Sequence, residues 1–139
     1  MRQQGFVSSL VGVGLLAGLP ASAHHSTTTY FDPEVSIEYK DVTAVSFEVV
    51  NPHTKLVFLA TDEEGNEVEW TASTQSANVL RRMGIGADSI SPGDKLTVTA
   101  SPHRDGLKLV LMTRVVFPNG DYAVLSIGAT GGLFRAEPE

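Results

Sequence analysis

The chain has 139 residues, and its 16 acidic and 10 basic side chains give a net charge of −6, which argues against a basic surface for nucleic acid or anionic lipid. It contains no cysteine, so neither a disulfide framework nor a thiolate metal site is available. A chain of this size suits one small domain whose stability comes from its own core.

The first predicted element is a leader. Arg2 precedes an apolar or small run from Phe6 to Leu19, Pro20 breaks that run, and Ala21-Ser22-Ala23 supplies the small residues a signal peptidase accepts. The run falls short of the roughly 20 residues needed to span a bilayer. Residues 1–23 therefore read as a secretory signal peptide, and the protein as periplasmic or secreted. No second apolar run follows, so no membrane span is expected after cleavage. Removal of the leader takes Arg2 and no acid. It leaves 116 residues with a net charge of −7 and all four histidines.

The remainder reads mostly as strands. Ser36 to Val50 is rich in β-branched and aromatic residues, and Asn51-Pro52-His53 punctuates it. Lys55 to Thr61 is an apolar run of strand length, and Asp62 to Asn66 is a turn. Glu67 to Ala72 alternates, with Val68, Trp70 and Ala72 on one face. Ser76 then caps a short helix on which Val79, Leu80 and Met83 share a face, and Gly84 ends it. Another turn, Ser89 to Asp94, leads to Lys95–Ala100, with Leu96, Val98 and Ala100 inward. The connection Ser101 to Gly106 leads to a strand over Leu107–Phe117. "PNGD" then signals a hairpin into Tyr122–Ile127. Residues 24–127 form one domain on this reading, and the Gly-rich tail over 128–139 is expected to fray. The fold class is all-β with little helix. Its architecture is a small OB-like barrel of five to six strands, with one short helix between strands three and four.

Familiar catalytic patterns are missing: there is no phosphate loop, no HExxH helix and no nucleophile elbow. Glu67 and Glu69 share a strand face that reads as solvated, as do the acids of the 62–64 turn. Arg81 and Arg82 are ordinary exposed helix cations. Trp70 reads as core, although strand three of such a barrel often contributes to a ligand face.

The histidines carry more information. His53 follows strand one and His103 lies between strands four and five, in loops that frame the usual binding surface of this barrel type. Cleavage after Ala23 would expose His24 as a free-amino terminus beside His25. Its α-amine, with a pKa of about 8, and its imidazole then chelate one metal, and such a nitrogen-rich set favours copper(II) or nickel(II). His53 or His103 would complete it. Cleavage one residue earlier places histidine third in the chain, which is another amino-terminal copper(II) chelate. The segment after His25 enters strand one at the end opposite the first loop, so it must double back to reach these loops.

The motifs "AHHS", "FD", "VNPH", a tryptophan on a later strand, "LRR" and "SPGDKLTV" follow in order along the chain. Together they resemble a family of small exported bacterial proteins of unknown function. The resemblance covers His24 to about Tyr122 and places His24, His25, Ser26, Asn51, Pro52, His53 and Trp70 at the family's marked positions. The chain departs from the pattern at "STTTY", where an aromatic usually follows the serine. It also lacks a tryptophan shortly before "NPH", and His103 is not part of the pattern. The resemblance implies an exported β-domain and no activity.

These features point to a non-enzymatic exported domain with a candidate copper(II) site from His24, His25 and His53, with His103 the weakest of the four. A second reading is a module that binds a ligand or an exported protein partner on the face near Trp70 and Asn51, the histidines being incidental. A third, weaker reading is a copper-dependent oxidase.

Overall fold

The computed structural model describes residues 27–125 and 131–136. Seven strands follow in chain order: β1 (Ile37–Glu48), β2 (Lys55–Thr61), β3 (Glu67–Ser73), β4 (Lys95–Pro102), β5 (Leu109–Val116), β6 (Tyr122–Val124) and β7 (Gly132–Phe134). Helix α1 (Ala77–Arg82) lies between β3 and β4, and short 3₁₀ turns occupy Thr27–Thr29 and Ala87–Ser89.

The strands pair in the order β3-β2-β1-β4-β5, and a parallel pairing of β3 with β5 joins the two ends. The five-stranded barrel is therefore closed, with the helix in the OB-type position. β5 divides one of its edges between two partners. Leu109–Leu111 close the barrel onto Thr71–Ser73, while Arg114–Val116 carry β6. Among the described residues this leaves Glu67–Trp70 without a ladder partner on the closing side of β3.

The interior follows from strand alternation. Leu56 and Phe58 on β2, Leu96, Val98 and Ala100 on β4, and Val110, Met112 and Val115 on β5 all belong to one buried cluster. Large residues meet small ones across the ladders: Phe58 faces Ala44, Leu56 faces Ala72, Met112 faces Ala100, and Val115 faces Ala123. That complementarity lets a narrow closed barrel hold a phenylalanine. The Tyr39 ring lies 5.4 Å from Phe58 and 5.1 Å from Trp70. It is partly buried and packs against the core cluster beside the open stretch of β3. Lys108 lies 4.4 Å above the Trp70 ring, and its carbonyl accepts from the Thr71 N–H. The twelve-residue β1 curves around the core through a bulge between Tyr39 and Val42, where Asp41 takes φ +51°.

Helix α1 begins at Ser76, whose hydroxyl accepts from the Val79 N–H, and it buries Ala77 and Leu80. Gly84 follows with φ +83°, a conformation favoured by glycine just past a helix end.

Several boundaries differ from the sequence expectation; β1 ends at Glu48 rather than Val50, and β4 runs on to Pro102. Leu107 and Lys108 precede β5 rather than starting it. The tail is not all frayed, since Gly132–Phe134 pair with Tyr122–Val124 as a seventh strand. The reason is Asp121. It is only 8% exposed and accepts from the Ala136 N–H at 2.9 Å and from Arg135 at 2.7 Å. The ring of Phe134 also stacks on that of Tyr122 at 5.1 Å.

The Ala136 N–H, followed by Arg135, holds the Asp121 carboxyl below its ordinary range. A depressed folded pKa contributes stability that is present above the unfolded value of about 3.9 and is lost as pH falls through the lower folded value. Thermal unfolding of the wild type and Asp121→Asn should therefore differ at neutral pH and converge as the solution is acidified below about pH 4. A difference that persisted through acid would refute this assignment.

Candidate functional site

His53 emerges from the end of β1 through the cis Asn51–Pro52 peptide, and its side chain is exposed. The loop is rigidly tied to the end of β3. Thr54 donates its N–H to the Gln75 carbonyl, and Thr74 donates to the Thr54 carbonyl, each at 3.0 Å. The Thr54 hydroxyl is fully buried and has no hydrogen-bond partner among the described residues.

Nδ1 of His53 lies 3.2 Å from the Thr74 carbonyl. A carbonyl can only accept, so this bond requires the proton on Nδ1, and in the neutral ring it leaves the lone pair on Nε2. Metal-binding histidines are commonly oriented in this way, by donating the other ring N–H to a backbone carbonyl. His53 lines a small cavity of about 40 Å³ with Thr27, Thr74, Gln75, Met112 and Leu125 among its walls. Such a volume has room for an ion or a water and is too small for a sugar. Gln75 closes one side by donating to the Leu125 carbonyl at 3.0 Å.

His103 has the opposite chemistry. It is 8% exposed, and its ring meets Phe31 edge-on at 5.5 Å. Its Nδ1 accepts from the Asp105 N–H at 3.1 Å, so in the neutral ring the proton sits on Nε2 and neither nitrogen offers a free lone pair. His103 does not line the His53 cavity. Sequence placed it in a loop framing the binding surface, but the chain before β1 covers it.

The sequence required this segment to double back toward the loops, but it did not show that the segment docks on His103. Phe31 forms a bridge pair with His103, Asp32 donates to the Pro102 carbonyl at 3.0 Å, and Arg104 donates its backbone N–H to the Tyr30 carbonyl at 2.8 Å. The Arg104 side chain reaches the Thr28 carbonyl at 3.2 Å and the Asp32 carboxylate at 3.5 Å. The segment thus doubles back along the β4–β5 connection, with Phe31 on His103 and Thr27 in the cavity of His53. The dipeptide Phe31-Asp32 was visible as a motif, but nothing local identified its partner.

His24, His25 and Ser26 lie outside the described residues. Trp70 is half-buried, with Tyr39 and Lys108 against its ring. Asn51 is exposed, and neither it nor Trp70 lines the His53 cavity. Among the described residues there is no group of three or more His, Cys, Asp or Glu side chains placed to hold a metal, and no helix long and apolar enough to cross a membrane.

No curated protein and no solved structure matches the chain. A family model does match over residues 13–112, a span that takes in His24, His25, His53, Trp70 and His103 and ends within β5. The chain belongs to the family of unknown function DUF6152.

Proposed function

We propose that the protein is an exported copper(II)-binding domain, with His24, His25 and His53 as its ligands. The observation that carries this reading is the shared cavity: Thr27, two residues beyond His25, lines the same wall as His53. Two residues of chain span at most about 7 Å, a short enough tether for His25 to be proposed as a neighbour of His53. The donor set fits the metal. The α-amine and ring of His24 close a chelate, and His53 offers Nε2 while its Nδ1–H is held by Thr74. Copper(II) prefers such nitrogen donors. The leader at residues 1–23 supports export to the periplasm, where cleavage would generate the free amine.

The test is intact mass of the exported protein followed by copper(II) titration of the same preparation. A mass that begins at His24 is expected, with one tight equivalent. His53→Ala should weaken it beyond the roughly 10–100-fold cost of losing a second-shell partner. A mature start elsewhere, or an affinity that His53→Ala leaves unchanged, would sink the proposal.

A further inference from the structure

We infer that the open groove across the outer face of β1, β4 and β5 binds an elongated anionic saccharide. Arg114 and Lys95 take its carboxylates, and Asp41 accepts from its hydroxyls. The groove measures about 530 Å³, a volume usual for small-molecule sites and far beyond what a simple ion fills. It is independent of the copper reading, since no residue that lines it also lines the His53 cavity.

The strand register places three cations around one threonine. Leu96, Val98 and Val115 belong to the buried cluster, so their neighbours Lys95, Thr97, Arg114 and Val116 point outward. Thr97 pairs with Val116 and Thr99 with Arg114. Lys95 and Arg114 therefore lie on opposite sides of Thr97, about 13 Å apart along the strands. Across the other ladder Tyr39 pairs with Val98 and Val42 with Leu96, so Lys40 and Asp41 both oppose Thr97. This bulge holds Asp41 at φ +51°, in the left-handed region that few residues other than glycine adopt. Bulges re-aim side chains and are over-represented beside functional sites.

The groove is a local exception in a chain of net charge −6, because three of the ten basic side chains line it. Lys40 is paired with Glu38 at 3.2 Å. Lys95 and Arg114 form no ion pair among the described residues. Lys95 donates to the Thr43 hydroxyl at 2.8 Å, which leaves it further N–H donors. The Arg114 guanidinium lies 4.5 Å from the ring of Tyr122, which is itself stacked on Phe134. A guanidinium held on an aromatic ring is already oriented, and its edge can grip a carboxylate with two parallel bonds. That orientation lowers the ordering cost of binding. Asp41 also forms no ion pair among the described residues, and a carboxylate is an acceptor for sugar O–H groups. Phe117 adds an apolar wall. This mixture of cations, acceptor and apolar wall suits a ligand with both carboxylates and hydroxyls, and the spread of the two free cations suits an elongated one.

The experiment titrates the exported full protein, free of metal, with trigalacturonate and reads backbone NMR signals. The uncharged methyl ester of the same trimer and inorganic phosphate are the comparisons. Trigalacturonate should shift signals of β1, β4 and β5 around Thr97 and leave those of Thr54 and Thr74 in place. Arg114→Gln should weaken binding about tenfold or more, the loss expected for a charge-assisted hydrogen bond, and Lys95→Gln by a smaller factor. The ester should bind no better to the wild type than the acid binds to Arg114→Gln. Asp41→Asn separates a saccharide from a bare anion. Asparagine tolerates the left-handed backbone, and the change removes one negative charge and one acceptor, so it should tighten phosphate binding while weakening trigalacturonate. The inference is overturned if trigalacturonate shows no saturable binding, if Arg114→Gln and Lys95→Gln both bind it as the wild type does, or if phosphate binds as tightly. A trigalacturonate affinity that Asp41→Asn leaves unchanged or raises would also refute the saccharide. Arg114→Gln gives up the contact with Tyr122 as well; should that variant fail to fold, Lys95→Gln, whose side chain makes only an exposed hydrogen bond, carries the test.

Discussion

Phe58→Ala is expected to lower the free energy of unfolding by about 3–5 kcal/mol, the range for removing a fully buried aromatic. Phe58 has no exposed surface and sits on β2 between Ala44 on β1 and Trp70 on β3. The cost should fall near the top of the range, because β2 is laddered on both sides and the barrel is closed. Its neighbours cannot slide inward without breaking backbone pairs, and Ala44 is too small to fill the space. Domains of this size are stable by only about 5–15 kcal/mol, so the variant approaches the folding limit. Urea unfolding of the wild type and the variant measures the loss. A change below about 1.5 kcal/mol would mean that the core collapses readily around the gap.

The second large effect is Leu80→Ala, expected to cost about 2–4 kcal/mol. Helix α1 has six residues, well below the length at which a helix holds itself in water. Ala77 and Leu80 are its buried residues, and Leu80 belongs to the main cluster with Ile85 and Ile90. Removing its side chain leaves α1 with little reason to stay on the barrel. Gln75 and Thr74 immediately precede the cap, so hydrogen exchange at these positions and at Thr54 should rise with the loss of stability. Ser76→Ala removes only the capping bond and should cost about 1 kcal/mol. If Leu80→Ala proved equally mild, the helix would be held by its cap and loop rather than by its buried face.

The elements with a strong local signal were legible in the sequence. β2 occupies the residues its apolar run marked, β3 extends one residue past the alternating segment, and the helix sits on its Ser76 cap. The strand order with its interposed helix implied a barrel of OB type, and the closed five-stranded ladder has that topology. What could not be read depends on residues far apart in the chain. β7 exists because Asp121 accepts from Arg135 and Ala136, and the composition of the tail gives no hint of that acceptor. His103 lies in "PHRDG", which locally reads as an exposed tip, yet Phe31 arrives from 72 positions earlier to cover it. Only the resemblance ranked His103 below His53; loop position alone did not separate them. Their different protonation patterns arise from one carbonyl of Thr74 and one N–H of Asp105, and neither partner is distinctive by residue type.

The half-open edge of β3 has a consequence for self-association. A second copy meeting this edge in antiparallel register would find unpaired backbone groups along Glu67–Trp70, which is how barrels and sheets fuse into larger β assemblies. A symmetric pairing there would bring Glu67 and Glu69 of one copy against the same residues of the other, four exposed carboxylates on two adjoining strands. Like charges directly opposite one another destabilise a ladder. The two glutamates thus disfavour a symmetric pairing across the opening that barrel closure leaves uncovered.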